Sequence, residues 1–183
     1  MQRGSAFVPD NRLSAFEAFL ADLDVADPAG LRIEAWCAVK TVVTMAYRGS
    51  EGVVGERLAA FAQRAPDNKL LKTGHGTWLT LCDGDVPDLE DVAATFDQGD
   101  GYASLRLHGP AAMIVLQKGI FVDLGAALAA DDACVCSVIA HINVIAWRAS
   151  SDTLGIAVPR SFAGSFWHWL STAAAAEGIP IGR

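Results

Sequence analysis

Long hydrophobic runs are absent from this sequence of 183 residues. The longest apolar stretch, residues 133–147, contains His141 and Asn143 and falls short of the roughly 20 residues that cross a bilayer. Residues 1–10 lack the apolar centre of a secretory signal peptide. These absences predict a soluble, cytoplasmic protein that has no membrane partner.

Clusters of basic residues are absent as well. The chain has 14 Lys and Arg against 21 Asp and Glu, a formal net charge of -7, and its cations are scattered along the sequence. Nucleic-acid binding requires grouped cations that meet successive phosphates. The charge pattern therefore argues against nucleic acid as a partner.

Catalytic motifs are also missing. The sequence contains no glycine-rich nucleotide-binding pattern, no nucleophile elbow and no H-E-x-x-H zinc motif. Ser161 and His168 would lie roughly 10 Å apart along a helix, which is too far for a nucleophile and its base. We expect Ser161 to cap the start of that helix instead.

The remaining candidates for metal or ligand binding have simpler explanations. Cys134 and Cys136 are the only close cysteine pair, and without a second ligand pair we expect buried, reduced thiols. His141 is expected in the middle of a strand with its hydrogen bonds satisfied. His75, between two glycines, is typical of a tight turn, and residues 83–85 are typical of solvated loop carboxylates. We predict no metal ion, cofactor or catalytic residue in this chain.

The pattern of apolar residues is typical of a mixed fold. Helical and strand periodicities alternate, with several hairpin-length connections, which predicts α+β architecture with mainly antiparallel sheets and helices packed on them. Residues 1–30 are assigned to an N-terminal helix and linker and residues 31–183 to the main domain, which is one unit or two subdomains, 31–98 and 99–183. Helices are predicted at 12–23, 52–61, 86–96, 110–118 and from 162 onward, and strands at 31–38, 39–47, 69–72, 77–81, 101–108, 133–148 and 153–158.

Hydrophobic residues make up 52% of the chain and charged residues only 19%. Either the core is unusually large or partner chains cover part of the surface. The C-terminal helix bears on this choice, because its apolar stripe is broader than one contact needs. We consider two explanations for it, core packing and docking to a partner, and the interface candidates are Arg160, Phe162, Phe166, Trp167 and Trp169.

Three segments of the C-terminal half carry a family resemblance. They are residues 102–112, residues 140–148, and the motif formed by 158–163 together with 166–170. In these segments the chain resembles the gamma subunit of heterotetrameric sarcosine oxidase and of related oxidases and dehydrogenases acting on N-methylated amino acids. Residues 74–79 resemble a degraded form of a further family strand.

The resemblance implies a noncatalytic structural subunit with the fold of the aminomethyltransferase (glycine cleavage T-protein) folate-binding domain. It also implies alpha, beta and delta partner subunits that hold FAD, FMN, NAD, tetrahydrofolate and zinc. On this interpretation, truncating Phe166 or Trp167 weakens assembly. Two alternatives remain open: a stand-alone folate-dependent aminomethyltransferase-like protein, in which Asp97 or Asp100 orients an amine, and a homo-oligomer without flavin partners.

Overall fold

A computed structural model describes residues 15–20, 30–36, 40–99, 101–130 and 133–179. The helices are α1 (Glu17–Leu20), α2 (Glu51–Ala62), α3 (Ala111–Gln117), α4 (Leu124–Ala127) and α5 (Ala163–Ala175), with a 3₁₀ turn at Arg160–Phe162. The strands are β1 (Arg32–Ala35), β2 (Lys40–Ala46), β3 (Lys69–Gly74), β4 (Thr77–Cys82), β5 (Ala93–Asp97), β6 (Tyr102–His108), β7 (Cys134–Ile139), β8 (Ile142–Ser150) and β9 (Thr153–Pro159).

The strands form two sheets. The five-stranded sheet has the order β1-β6-β9-β8-β7 and the four-stranded sheet the order β3-β4-β2-β5. Every strand pair in the described residues is antiparallel, which confirms the predicted α+β class. No helix in these residues is long and apolar enough to cross a bilayer.

The two sheets face each other, and each carries helices on its other side. Strand alternation creates this layering: along β9, Leu154, Ile156 and Val158 join the helix-facing core, while Ala157 belongs to the cluster between the sheets. Helix α2 covers the outer face of the four-stranded sheet through Val54 and Leu58. The helix-facing core of the five-stranded sheet receives residues from α3, α4 and α5 and from Phe16, just before α1.

Trp147 occupies the centre of the layer between the sheets. It is 1% exposed, and its ring centroid lies 5.3 Å from that of Trp36. Gly155, opposite it on β9, has no side chain and thereby leaves room for the indole. The indole packs directly against the backbone of Gly155, and this close contact fixes how the two sheets are aligned where they meet.

Arg106 links the two sheets at their rim. From β6 its guanidinium lies 4.1 Å from the centroid of Trp36, and its Nη2 donates to Asp67 Oδ1 at 2.8 Å, just before β3. Its Nη1 lies 3.8 Å from Glu34 Oε1 on the neighbouring strand β1. One side chain therefore combines a cation–π contact with ion pairs to both parts of the fold.

We expect the substitution Arg106→Ala to lower the free energy of unfolding by about 2 kcal/mol, because it removes a partly buried cation–π contact and two ion pairs. Arg106→Lys keeps the charge but loses the planar stacking on Trp36, so it should have a smaller effect. Urea denaturation followed by tryptophan fluorescence measures both. Equal midpoints for Arg106→Ala and the natural chain would show that this link does not stabilise the fold.

The helix predicted at 86–96 is wrong. Residues 93–97 form β5, which pairs with β2, and the preceding residues 90–92 form a turn in which Ala93 N donates to Leu89 O at 2.8 Å. An acidic side chain stabilises this turn, since Glu90 N donates to Asp88 Oδ1 at 3.1 Å. Pairing with an available strand edge outweighs the local helical preference.

The single strand predicted at 133–148 is also wrong, since it is a hairpin of β7 and β8. Its two-residue turn consists of Ala140 and His141, with φ of 48° and 66°. His141 is therefore a turn residue and not the mid-strand residue that was predicted. Such turns favour Gly, Asn or Asp, so the sequence carried no turn signal here.

The predicted N-terminal helix is described only in part, because residues 12–14 and 21–23 lie outside the described residues. Strand β1 pairs with β6, so residues 32–35 belong to the sheet formed mainly by residues after 99. The division into 31–98 and 99–183 stays a prediction.

Candidate subunit interface

The C-terminal helix begins differently from the prediction. Pro159 ends β9, and the 3₁₀ turn Arg160–Phe162 leads into α5, whose N-cap position is Phe162 without a side-chain cap. The prediction that Ser161 caps the helix is therefore wrong, because Ser161 lies within the additional turn. At the far end, Gly178 has φ of 76°, and Ile179 N donates to Ala174 O at 3.1 Å.

Two of the five interface candidates are buried in the chain's own core. Phe166 is 0% exposed, with its ring edge-on to Phe16 at 6.3 Å, and Trp167 is 7% exposed and stacks on Phe19 at 5.9 Å. The N-terminal segment thus covers one side of the apolar stripe of α5, and the five-stranded sheet covers the other side. Phe166 and Trp167 have almost no surface to offer a partner, which corrects their selection as docking residues.

The other three candidates lie at or near the surface. Phe162 is 47% exposed, and Trp169 is partly buried, with its ring 5.7 Å from that of Phe166. Arg160 anchors the helix start through its backbone, whose N–H donates to Gly101 O at 2.9 Å. A contact between these three residues and a partner stays a prediction.

The loop after α3 exposes an aromatic side chain that was not predicted as an interface candidate. Phe121 is 96% exposed, and Val122 beside it is 39% exposed. The signal was present as the apolar run 120–122, which directly follows the helix stop Lys118-Gly119. Trp169 and this loop adjoin, because the indole packs where a Cβ on Gly119 would lie. We call Gly119, Phe121, Val122 and Trp169 the Phe121 surface.

The loop that presents Phe121 is fixed by one side chain. Gln117 Nε2 donates to Ile120 O at 3.2 Å and to Val122 O at 2.9 Å, and Gln117 Oε1 accepts from Leu124 N at 3.0 Å. Asp123 Oδ1 then caps α4 by accepting from Ala126 N. A loop held in this way loses little conformational entropy when its aromatic side chain enters a partner's pocket.

A second apolar patch lies at the edge of the four-stranded sheet. Met45 is 49% exposed and Phe96 is 50% exposed, and the register of β2 and β5 places them diagonally on one face. Val43, opposite Phe96, packs partly into the layer between the sheets. The apolar layer between the two sheets therefore extends to the protein surface beside β5.

The thiols of Cys134 and Cys136 lie on the same face of β7. Cys134 Sγ donates to Lys72 O at 3.2 Å and Cys136 Sγ to Thr73 O at 3.6 Å, which holds β7 against β3. Both thiols are free, but Cys136 is exposed, so the expectation that it is buried is wrong. Although Cys136 is exposed as a residue, its thiol group, like that of Cys134, is partly withdrawn from water against β3. This desolvation raises the pKa of Cys134 to about 11 and also raises that of Cys136, so both stay protonated at neutral pH and are poor nucleophiles.

The polar candidates do not converge on one site. His75 is exposed in the β3–β4 turn, as predicted, with Nε2 3.8 Å from Glu51 Oε1, and the backbone hydrogen bonds at the start of α2 lower the pKa of that carboxyl. The backbone carbonyl of His168 accepts hydrogen bonds from Ser171 Oγ at 3.0 Å and from Thr172 Oγ1 at 2.8 Å. Within the described ranges, no three His, Cys, Asp or Glu side chains come close enough to hold a metal ion.

The fold and its surfaces define an α+β protein in which two facing antiparallel sheets carry exposed apolar patches. Residues 88–177 match the sarcosine oxidase, gamma subunit family. The resemblance in residues 102–112, 140–148 and 158–170 is thereby confirmed. No curated protein matches the sequence.

One solved structure is similar in fold, and a second matches only weakly. A chain of the heterotetrameric sarcosine oxidase from Corynebacterium sp. U-96, in complex with pyrrole 2-carboxylate, matches with a TM-score of 0.73 and 22% identity, covering 90% of this chain and 95% of that chain. The ligand-free regulatory subunit of aspartate kinase from Thermus thermophilus has a TM-score of only 0.37 and 11% identity, covering 79% of this chain and 97% of that chain. The first match shows the fold, while the predicted likeness to aminomethyltransferase stays a prediction.

Proposed function

We propose that this chain is a noncatalytic structural subunit of a heterotetrameric, flavin-dependent sarcosine oxidase-like enzyme that acts on an N-methylated amino acid. The family match over residues 88–177 carries the proposal. The shared fold and the exposed apolar patches support it. The partners in this proposal are alpha, beta and delta subunits in the cytoplasm, which hold FAD, FMN, NAD, tetrahydrofolate and zinc.

Purification of the tagged chain from its native cell tests the proposal. We expect it to bring down larger chains with flavin absorbance and amine-oxidising activity, while the chain alone turns over no amine. The stand-alone alternative makes the opposite prediction, since the isolated chain would then transfer an aminomethyl carbon to tetrahydrofolate. A lone chain with that activity and no partners would overturn the proposal.

The Phe121 surface is the part of the chain that we assign to a larger subunit. The near-complete exposure of Phe121 and the three hydrogen bonds of Gln117 make it a preorganised anchor for an apolar pocket. We expect Phe121→Ala to weaken assembly by about 2 kcal/mol, a rise of about 30-fold in Kd, with no loss of fold stability. Titration of the variant against the remaining subunits measures this change.

Phe96→Ala is the matched control, because it removes the same ring from an exposed position in the second patch. We expect it to leave Kd unchanged. If Phe96→Ala weakened assembly and Phe121→Ala did not, the interface would lie beside β5 and the assignment of the Phe121 surface would be wrong.

A further inference from the structure

A cavity of about 620 Å³ opens where the end of α2, the edge strand β3 and strand β8 meet. Such a volume lies within the range of small-molecule sites. Most of its lining residues precede residue 88, where the family match begins, so that match assigns nothing to it. The cavity also lies apart from the Phe121 surface in the fold, since none of the four residues of that surface lines it.

The wall of the cavity is apolar and aromatic over most of its area. Trp78 and Trp147 supply the aromatic part, and small residues at the end of α2 leave the space open. The other apolar lining residues are Ala59, Ala62, Ala65, Pro66, Leu70, Leu71 and Ala133. A flat or elongated apolar body would replace water there with favourable contacts.

The charges around the cavity are all of one sign. Lys69, Lys72 and Arg148 line it, and no Asp or Glu does. Among the residues that the structure describes, none of these three cations has a carboxylate within ion-pair distance. The formal net charge of the chain is -7, but these three unpaired cations around one opening create a local positive potential that attracts an anion.

Hydrogen bonds hold the Arg148 side chain in place, but they do not neutralise its charge. Its Nε donates to Leu128 O at 2.7 Å and its Nη1 to Ser151 O at 3.3 Å, and both acceptors are neutral carbonyls. One other lining residue, Asn68, carries a buried Oδ1 atom without a hydrogen-bond partner, whereas the unpartnered Nε1 of Trp147 lies against Gly155 on β9. The hydrogen bonding around the cavity is thus incomplete in the chain by itself.

From this arrangement we infer that the cavity binds a small amphipathic anion, with an aromatic or aliphatic body against Trp78 and Trp147 and a carboxylate toward Lys69, Lys72 and Arg148. The charge of the lining residues selects an anion, and the apolar wall selects a ligand larger than an inorganic ion. The inference does not rest on the proposed subunit role.

Calorimetric titration of the full chain with 2-naphthoate and with its neutral analogue 2-naphthamide tests the charge requirement. We expect one molecule of naphthoate to bind per chain, and naphthamide to bind about tenfold more weakly because it lacks the charge. Lys69→Gln and Lys72→Gln should each raise the Kd of naphthoate by about fivefold. Lys118→Gln is the control, since Lys118 pairs with Glu177 away from the cavity and should leave the Kd unchanged.

Ala62→Phe tests the position of the ligand by filling the cavity. We expect naphthoate binding to be lost while the thermal midpoint stays the same or rises, because the new ring occupies empty space. Equal affinity for naphthoate and naphthamide would overturn the inference. So would an unchanged Kd in Ala62→Phe, or the absence of saturable naphthoate binding.

Discussion

Replacing Gly155 with alanine is expected to destabilise the fold by about 3 kcal/mol or more, the upper range for overpacking a core. A Cβ at this position would overlap the Cε2, Cζ2 and Nε1 atoms of Trp147. Trp147 is 1% exposed and is held on its other side by Trp36 at a ring distance of 5.3 Å, so the indole has little room to move. Relief of the overlap requires the two sheets to separate or the β8–β9 pairing to shift.

A second substitution identifies the cause. Phenylalanine lacks the outer six-membered part of the indole, including the Cζ2 atom that faces Gly155, so Trp147→Phe removes part of the overlap. We expect Gly155→Ala to cost clearly less in the Trp147→Phe background than in the natural chain, which is a coupling between neighbours that a double-mutant cycle measures. Chemical denaturation of the four proteins provides the free energies of unfolding. Additive effects would contradict the predicted contact.

Replacing Phe166 with alanine is expected to lower the free energy of unfolding of the chain itself by about 3–5 kcal/mol, the usual cost of removing a buried aromatic ring. Phe166 is 0% exposed and contacts the rings of Phe16 and Trp169. The sequence alone suggested a different outcome, loss of assembly, because the helix stripe looked wide enough to include a docking face. The structure assigns this ring to the core.

Phe162→Ala is the matched control for Phe166→Ala. It removes the same side chain four residues earlier, at a position that is 47% exposed, and should change stability by no more than about 0.5 kcal/mol. Denaturation of the isolated chain compares the two variants. If Phe166→Ala kept full stability and lost only assembly, the burial of this ring inside its own chain would be refuted.

These substitutions separate two roles for the aromatic residues. Phe166 and Trp167 join α5 to the N-terminal segment and the sheet, whereas Phe121 lies in a fixed loop and contributes little to the core. A subunit needs both kinds of residue, because a rigid fold lets an exposed anchor bind without first being ordered. Core variants of this chain should therefore unfold it, and Phe121→Ala should only separate it from its partners.

The fold class could be predicted because it depends on local patterns. Alternating residues in 102–108 predicted β6, and the glycines around His75 predicted the β3–β4 hairpin. The turn at Ala140 and His141 could not be predicted, since alanine is untypical of a positive φ and the turn has none of the Gly, Asn or Asp residues that mark such hairpins. Residues 93–97 were misassigned because β2 provides their hydrogen-bond partners, and local sequence does not reveal that edge.

The sequence by itself determined the α+β class, the acidic, motif-poor composition and the family that residues 88–177 match, because periodicity, charge and short motifs are properties of neighbouring residues. Only the tertiary structure decided which aromatic residues are surface and which are core. Burial depends on what covers a side chain, and Phe166 and Trp167 are covered by Phe16 and Phe19 from the opposite end of the chain. Phe121 is exposed because no other described part of the chain covers it in the loop that Gln117 holds in place.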